Sequence, residues 1–385
     1  GSDGGCTELE RSEFGLVGTR HTFGRRLMSW TALIAPAGFF AISFAAGLFA
    51  CALVKRIGVV AAPDGDRKTQ ARPVPRLGGV AILFGTLIGM ALSFVILMLA
   101  YGADPVSTFT DLIAGAFETN TDLGIAMAFV AVSFAIGLWD DISTANTKLK
   151  LAILSIAALT AAILGLSAEA FQTPFGDLAL PILLVIGSAA WLIVMVNAVN
   201  FMDGSNGLAI GALAIMLAAL AAISATSGTW SAAIWWFPVF GAIGAFLLHN
   251  IRGQIYAGDA GALGLGALFA ALGIASDLNV WTIATIALPF LVDVLLTLIW
   301  RAKHGRNWLE AHLDHAYQRL IASGWSHLET AIFYWGLTAT TGGMAYIAAL
   351  AGGAAPFAVF WGLWIALSVI WVRHRRTAQL SDLSG

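Results

Sequence analysis

Four clusters of carboxylate, amide and imidazole side chains are able to carry chemistry. They are Asp140-Asp141, the segment from Asn197 through Asn200, Asp203 and Gly204 to Asn206, Asp259 within G-D-A-G (258–261), and His312 with His315. Ionisable groups beside long apolar runs cost about 2.5–3.5 kcal/mol each, so they persist where they have a function or a partner. Carboxylates without cysteine ligands favour a hard cation, and Mg²⁺ binds through one or two carboxylates plus substrate phosphates. The clusters therefore indicate phosphoryl chemistry assisted by Mg²⁺.

Each cluster also has an ordinary structural interpretation. The aspartate pair could be a solvated helix end, and 197–207 could be a turn rich in Asn, Asp and Gly. The glycines of 258–266 could simply allow close helix packing, and the two histidines could be loop residues. Asp293, inside an apolar run, could pair with a neighbouring helix. Only the position of all clusters on one side of a fold would favour a shared site.

Membrane helices are the elements that must position these clusters. Of the 385 residues, 59% are hydrophobic and 11% charged, against about 45–50% and 25% in soluble proteins. This excludes a soluble domain and a disordered chain, and the net charge of −2 gives no indication of a nucleic-acid partner. The continuous apolar runs do not alternate as barrel strands do. We predict an all-α polytopic membrane protein with about 11 transmembrane helices. The spans are 31–54, 78–101, 123–139, 151–167, 179–197, 207–226, 233–249, 261–275, 281–300, 330–350 and 356–372.

The distribution of Lys and Arg predicts the orientation, because cytoplasmic loops carry them in excess. Loop 55–77 holds several, whereas the next loop, 102–122, holds none. The alternation continues, so the N-terminus is expected outside and the C-terminus in the cytoplasm. The predicted cytoplasmic loops are 55–77, 140–150, 198–206, 250–260 and 301–329. All four clusters fall at odd-to-even helix junctions, which lie at this same face.

The domain organisation is predicted to be simple. Residues 1–27 begin Gly-Ser rather than Met and are interpreted as an expression-tag remnant or a disordered N-terminal segment. Residues 28–385 then form a single transmembrane domain. Cys6 and Cys51 are too few for a disulfide framework.

Five ordered motifs resemble the polyprenyl-phosphate N-acetylhexosamine-1-phosphate transferases, which initiate O-antigen, teichoic-acid and peptidoglycan precursors. The motifs are D-G-D-R-K-T-Q-A-R-P-V-P-R-L-G-G (64–79), G-L-W-D-D-I (137–142), N-A-V-N-F-M-D-G-S-N-G-L-A (197–209), Asn250 with G-D-A-G (258–261), and H-L-D-H (312–315). The resemblance runs from about residue 31 to 372.

The resemblance implies a reaction and its residues. An N-acetylhexosamine-1-phosphate would be transferred from a UDP-sugar to undecaprenyl phosphate, and UMP would be released. The cofactor would be Mg²⁺, for which Mn²⁺ could substitute. Metal ligands would be Asp259 and Asp141, and the catalytic group would be Asp140, Asp141, Asp203, His312 and His315. Substrate would be bound by Lys68, Arg72, Asn197, Asn200, Asp203, Gly204, Asn206 and Asn250. The family also implies the bacterial inner membrane, contact with membrane lipids and a homodimer.

Departures from the family pattern leave alternatives open. Asp314 stands where relatives often have a third histidine, and Asn206 replaces the second Asp of the muramyl-pentapeptide branch. The second departure favours a simple UDP-N-acetylhexosamine over the phospho-MurNAc-pentapeptide reaction, but the sugar stays open. A lipid-phosphate transporter or flippase and a lipid-diphosphate phosphatase are the rival classes. A transporter would place its charges nearer the bilayer midplane.

Overall fold

The chain folds into a bundle of helices. The computed structural model describes residues 35–57, 60–61, 74–100, 121–143, 145–226, 236–307 and 312–384. The predicted N-terminal segment 1–27 lies outside the described residues. The helices are α1 Ala35–Ile57, α2 Gly78–Ala100, α3 Thr121–Ser143, α4 Thr147–Ile163, α5 Pro181–Met202, α6 Leu208–Thr226, α7 Trp236–Asn250, α8 Gly258–Ala275, α9 Val280–Ile286, α10 Leu288–Lys303, α11 Ala316–Ala322, α12 His327–Ala351 and α13 Ala355–Ser384.

The predicted all-α membrane fold is confirmed. Within the described part of the chain, 7 helices are long and apolar enough to cross a bilayer, namely α1, α2, α3, α5, α6, α8 and α13. Helices α9 and α10 join as a broken span bent by 81°. The other predicted spans correspond to α4, α7 and α12, of which α4 and α7 have 17 and 15 residues. Each predicted span thus overlaps a described helix or the bent pair, but among the described residues fewer than the predicted 11 are long and apolar enough to be full spans.

Helix α8 lies at the centre of the bundle and packs against α2, α3, α5 and α6. Small residues allow this, since membrane helices approach closely where side chains are short. A Cβ atom on Gly79 of α2 would lie 2.2 Å from the backbone nitrogen of Gly261 in α8. The backbones of α2 and α8 therefore touch at the start of both helices.

The loop between α1 and α2 is attached to the start of α8 by backbone hydrogen bonds. Its short strands β1 Val60–Ala61 and β2 Val74–Pro75 pair antiparallel. Beyond β2, Tyr256 N–H donates to the carbonyl of Pro75 at 2.8 Å, and Gly78 N–H donates to the carbonyl of Tyr256 at 2.9 Å. Residues 75–79 and 256–257, far apart in sequence, are therefore held side by side.

The opposite end of the bundle has a different character. Segment 164–180 between α4 and α5 turns back on itself through the pairing of Phe171 with Leu178. A cavity of about 410 Å³ lies there, lined by residues that include Gln172, Asn279 and Phe357. The loops that line it all join even-numbered predicted spans to odd-numbered ones. It is therefore remote from the four clusters.

Candidate active site at one end of the bundle

The two adjacent aspartates at the end of α3 have different surroundings. Asp140 accepts a hydrogen bond from Ala145 N–H at 2.7 Å and pairs with Lys150 Nζ at 3.2 Å. Asp141 is buried, and its two oxygens accept the backbone N–H groups of Asp259 at 3.0 Å and Ala260 at 2.9 Å. Consecutive helical residues point in different directions, so only one of the pair faces Lys150.

Asp141 caps α8 from another helix. The residue at the N-cap of α8, Ala257, has no side chain that could accept the free N–H groups of the first turn. The carboxylate of Asp141 accepts two of them, and a negative charge is favourable at a helix N-terminus. Asp141 thereby fixes the position of Asp259. Its predicted role as a metal ligand stays a prediction.

Asp259 and Asp140 converge on one cation. Lys150 Nζ hydrogen-bonds Asp259 Oδ2 and also pairs with Asp140 Oδ2. Asn200 Nδ2 donates to the same oxygen of Asp259 at 3.4 Å. Two carboxylates this close repel each other in a half-buried setting. The ammonium group between them offsets that repulsion.

Two glycines make this convergence sterically possible. Gly258 has φ +69°, and a Cβ atom there would lie 2.1 Å from the Arg76 carbonyl oxygen and 2.5 Å from Asp141 Oδ2. In α3, a Cβ atom on Gly137 would lie 2.3 Å from the carbonyl oxygen of Asp259. Both contacts leave no room for a side chain.

The Asn/Asp segment at the end of α5 joins this cluster to other elements. Asn197 donates to the carbonyl of Ile193 at 2.8 Å in its own helix, while Asn200 reaches Asp259. Asp203 faces Tyr256: burial, together with the negative charge of Asp203, raises the pKa of Tyr256 to about 12. The segment therefore lies across the loop that precedes α8.

Asn250 fixes the end of the same segment. It is buried; its Oδ1 accepts Gly207 N–H at 2.7 Å and its Nδ2 donates to the carbonyl of Ile255 at 2.8 Å. Asn206 lies against Gly253, where an added Cβ atom would be 3.0 Å from Asn206 Nδ2. Asn250 thus joins two loops of the site, and its predicted contact with substrate stays a prediction.

The histidine loop packs on the end of α5. The ring of His315 stacks against that of Phe201, with centroids 5.9 Å apart. The ring centroid of His312 lies 4.9 Å from that of His315. Tyr317 donates its hydroxyl to the carbonyl of Phe201 at 3.0 Å. A Cβ atom on Gly204 would lie 2.1 Å from that hydroxyl oxygen. The loop is adjacent to the Asn/Asp segment, as the parity of the junctions predicts.

Asp314, which departs from the family pattern, is held by arginines. Arg301, Arg306 and Arg375 pair with its carboxylate, the last two at 3.4 and 3.6 Å. Burial favours the neutral form, but the hydrogen bond and charge of Arg301 outweigh it, so the pKa of Asp314 lies below its ordinary value. Arg375 Nη1 also donates to the backbone carbonyl of Asp314 at 3.0 Å. Asp314 thus anchors the histidine loop to Arg375 of α13.

The structure brings together most of the residues that the motifs single out. Asp140, Asn200 and Asp259 meet at Lys150, and the histidine loop adjoins them through Phe201. Lys68 and Arg72 lie outside the described residues. Lys150 is the residue that the sequence reasoning missed, because the basic residues of the predicted loop 140–150 were used only to infer the orientation of the chain in the membrane. Its position at the start of the helix after Asp140-Asp141 was the available signal.

The side chains at this site could supply only some of the ligands of a metal ion. Within the described residues, no group of three or more His, Cys, Asp or Glu side chains is arranged to hold a metal ion. Oxygens of Asp140 and Asp259 nevertheless share one cation, the Lys150 ammonium. Two carboxylates fit Mg²⁺, which takes its other ligands from water and substrate phosphates.

Fold and site together define a multi-pass membrane protein that collects acidic, amide and imidazole groups at one end of its helices. Residues 123–277 match the family model described as glycosyl transferase family 4. The match runs from α3 to just beyond α8 and so contains Asp140, Asn200 and Asp259. The histidine loop lies beyond it.

Curated relatives cover most of the chain. A Bacillus subtilis protein named "Probable undecaprenyl-phosphate N-acetylglucosaminyl 1-phosphate transferase" is 26% identical over 305 residues, 75% of this chain and 78% of its own. A Mycobacterium tuberculosis decaprenyl-phosphate N-acetylglucosaminephosphotransferase is 28% identical over 308 residues, 71% of this chain and 72% of its own. A Halalkalibacterium halodurans phospho-N-acetylmuramoyl-pentapeptide-transferase is 26% identical over 295 residues, 71% and 82% of the two chains. The predicted family resemblance and the predicted enzyme class, a phosphotransferase, are confirmed.

Proposed function

We propose that this enzyme transfers an N-acetylhexosamine-1-phosphate from a UDP-sugar to undecaprenyl phosphate in the presence of Mg²⁺. The products would be undecaprenyl-diphospho-sugar, which initiates a cell-surface polysaccharide, and UMP. The observation that carries the proposal is the convergence of Asp140, Asp259 and Asn200 on Lys150 at the end of the bundle that also holds the histidine loop. The names of the relatives supply the substrate class.

In the proposed reaction an oxygen of the lipid phosphate attacks the phosphorus that carries the sugar. The P–O bond to the UMP phosphate breaks, and UMP leaves with the electron pair. A lipid phosphate is already largely ionised near neutral pH, since the second pKa of a phosphate monoester is about 6. Electrostatic stabilisation of the phosphate charges therefore matters more for the reaction than a general base does.

The position of each residue suggests its role in the proposed reaction. Asp140 and Asp259 would hold Mg²⁺, which when bound neutralises phosphate charge. Lys150 would keep the two carboxylates in place and would offer its ammonium group to a phosphate oxygen of the substrate. Asp141 would position Asp259 through the first turn of α8. Asn200, Asp203 and the histidine loop would orient the nucleotide-sugar.

The site is proposed to face the cytoplasm of a bacterial inner membrane. Described Lys and Arg residues from three of the basic loops, Arg76, Lys150 and Arg301, lie at this end of the bundle, as expected of cytoplasmic loops. A UDP-sugar is made in the cytoplasm and an undecaprenyl chain lies in the bilayer, so both substrates can reach a site at helix ends. Contact with membrane lipids and a homodimer stay predictions.

The rival functions fit the positions of the charges less well. A transporter would be expected to place them near the bilayer midplane, whereas Asp140 ends α3 and Asp259 begins α8. The muramyl-pentapeptide reaction has relatives of similar identity. Asn206 in place of the second Asp favours a simple UDP-N-acetylhexosamine over it.

Removal of either carboxylate is expected to abolish the proposed reaction. The full-length protein in nanodiscs is given undecaprenyl phosphate, Mg²⁺ and a panel of radiolabelled UDP-N-acetylhexosamines, and UMP and lipid product are measured. Asp259→Ala and Asp140→Asn should each release no UMP above background, because two carboxylates share one cation. Asp177→Asn, exposed at the opposite end, is the matched control and should keep wild-type activity. EDTA should stop the reaction and excess Mg²⁺ restore it.

Two results would contradict the proposal. Full activity in Asp259→Ala or Asp140→Asn would remove that residue from the mechanism. No product from any UDP-sugar in a folded wild-type sample would reject the reaction itself.

A further inference from the structure

A buried carboxylate outside the motifs supports the histidine loop. Asp293 of α10 is 2% exposed. Its Oδ1 accepts Ala316 N–H at 2.8 Å, and its Oδ2 accepts the Tyr334 hydroxyl at 2.6 Å and Tyr317 N–H at 3.3 Å. A buried carboxylate is stable only when its oxygens are satisfied in this way. Asp293 thereby holds the first turn of α11, which directly follows the loop.

The same carboxylate faces one of the two histidines. Nδ1 of His315 lies 3.5 Å from Asp293 Oδ1. The ring is enclosed by aromatic neighbours, with Phe201 at 5.9 Å and Tyr317 at 6.0 Å between centroids. His315 is 2% exposed. One edge of its ring therefore lies beside a carboxylate, and its faces are packed against aromatic rings.

The other histidine is placed differently. His312 is only partly buried, and its ring centroid lies 4.9 Å from that of His315. His315 therefore lies between Asp293 and His312, and His312 is the more accessible of the two imidazoles. A side chain enclosed like that of His315 cannot turn toward a substrate without losing its contacts with Asp293, Phe201 and Tyr317.

We infer that Asp293 and His315 are positioning residues, and that His312 is the imidazole of the loop that meets the substrate. This inference rests on the proposed function and divides the two histidines that the sequence treats as equivalent. Asp293 orients His315 through Nδ1, and His315 supports the ring of His312. A partner that fixes the orientation of a functional imidazole typically contributes about 10- to 100-fold in activity.

Chemical modification of the wild-type protein tests the geometry without any assay of transfer. Diethyl pyrocarbonate modifies accessible, unprotonated imidazoles, and peptide mapping by mass spectrometry separates the sites. His304, which is exposed, serves as the internal reference. His312 should react at a rate within about threefold of His304, and His315 should be protected by at least about tenfold. Equal modification of His315 and His312 would overturn the inference.

Coupling between variants tests the order of support. Asp293→Asn and His315→Gln should each lower kcat for sugar-phosphate transfer by about 10- to 100-fold, and the double variant should be no worse than the poorer single one, as expected of residues that act as a unit. Asp293→Asn should also expose His315 to modification. His312→Gln should raise KM as well as lower kcat. Additive effects in the double variant would overturn the inference.

Tyr334→Phe is the control for a merely structural role. It removes one hydrogen bond to Asp293 without altering the group that faces His315. It should lower the thermal midpoint yet leave His315 protected, and its effect should be additive with that of His315→Gln. If the wild-type enzyme transferred no sugar phosphate, the proposed function would fail while the modification pattern still decided the positions of the two histidines.

Discussion

At the scale of single residues, Lys150 determines how the acidic cluster is held together. Its ammonium group contacts both Asp140 and Asp259, and its side chain is 14% exposed. A lysine this enclosed between carboxylates stays charged, because the charged form is the one its partners stabilise. The site therefore carries its own cation, placed between two carboxylates.

Replacement of this lysine is expected to impair transfer strongly. Lys150→Met keeps an unbranched, flexible side chain but removes the ammonium group and leaves two carboxylates facing each other. It should lower kcat by about 100-fold, as loss of one charge-stabilising donor typically does. Lys148→Met is the matched control, since Lys148 is exposed two residues away on the same helix; it should retain wild-type kcat. Steady-state UMP release measures both. Equal kcat values for the two variants would show that the charge of Lys150 is not needed for transfer.

At the scale of elements, the contact between α3 and α8 positions the cluster. Asp141 at the end of α3 accepts the first N–H groups of α8, and Gly137 one turn earlier lets the two backbones meet. The capping interaction and the close approach depend on each other, because the carboxylate reaches the N–H groups only when the helices touch. Asp140 and Asp259 are brought together as a consequence.

A methyl group at this contact is expected to separate the helices. In Gly137→Ala the added atom would meet the backbone of Asp259 and Ala260, which cannot move as a side chain can. Overpacking of this kind costs about 1–3 kcal/mol, so the thermal midpoint should fall and UMP release should be lost. Gly336→Ala on α12, where a Cβ atom meets nothing within 4 Å, should change neither. Differential scanning fluorimetry in detergent and the transfer assay measure the pair; an active Gly137→Ala enzyme would contradict the role of this contact.

At the scale of the whole molecule, the helices separate two chemically distinct ends. One end gathers the acidic cluster, the Asn/Asp segment and the histidine loop. The other carries the turn at Phe171 and Leu178 and an aromatic group around Trp281, whose Nε1 donates to the carbonyl of Gln172. Since each full span reverses the direction of the chain, alternate loops meet at the same end.

Opposite labelling of two single cysteines is expected from this arrangement. In a background with Cys6 and Cys51 replaced by Ser, Arg252→Cys at the proposed cytoplasmic end should react only with membrane-permeant maleimides in whole cells. Phe175→Cys at the tip of the opposite turn is fully exposed in the wild-type position, at 100%, and should react with an impermeant reagent. Labelling of Arg252→Cys by the impermeant reagent would reverse the orientation and remove the cytoplasmic site. The pair is measured by gel shift in intact cells and in lysed cells.

Much of the architecture could be predicted from the order of residues. Long apolar runs must become helices in a bilayer, because the backbone has no other hydrogen-bonding partner there. Counting those runs places Asp140, Asn200, Asp259 and His312 at one end, and the structure agrees. The motif residues Asp140, Asn200 and Asp259 lie within the segment 123–277 that matches the glycosyl transferase family 4 model.

The pairings within the site were decided only by the tertiary structure. The sequence did not indicate that Lys150 joins two carboxylates, that Asp141 caps α8, or that Asp293 lies beside His315. Helices such as α5 and α6 are apolar on every side, so no periodic pattern shows which face turns inward or how far each helix is rotated. Rotation and close approach are set by packing between residues more than a hundred positions apart, and they determine which polar atoms meet.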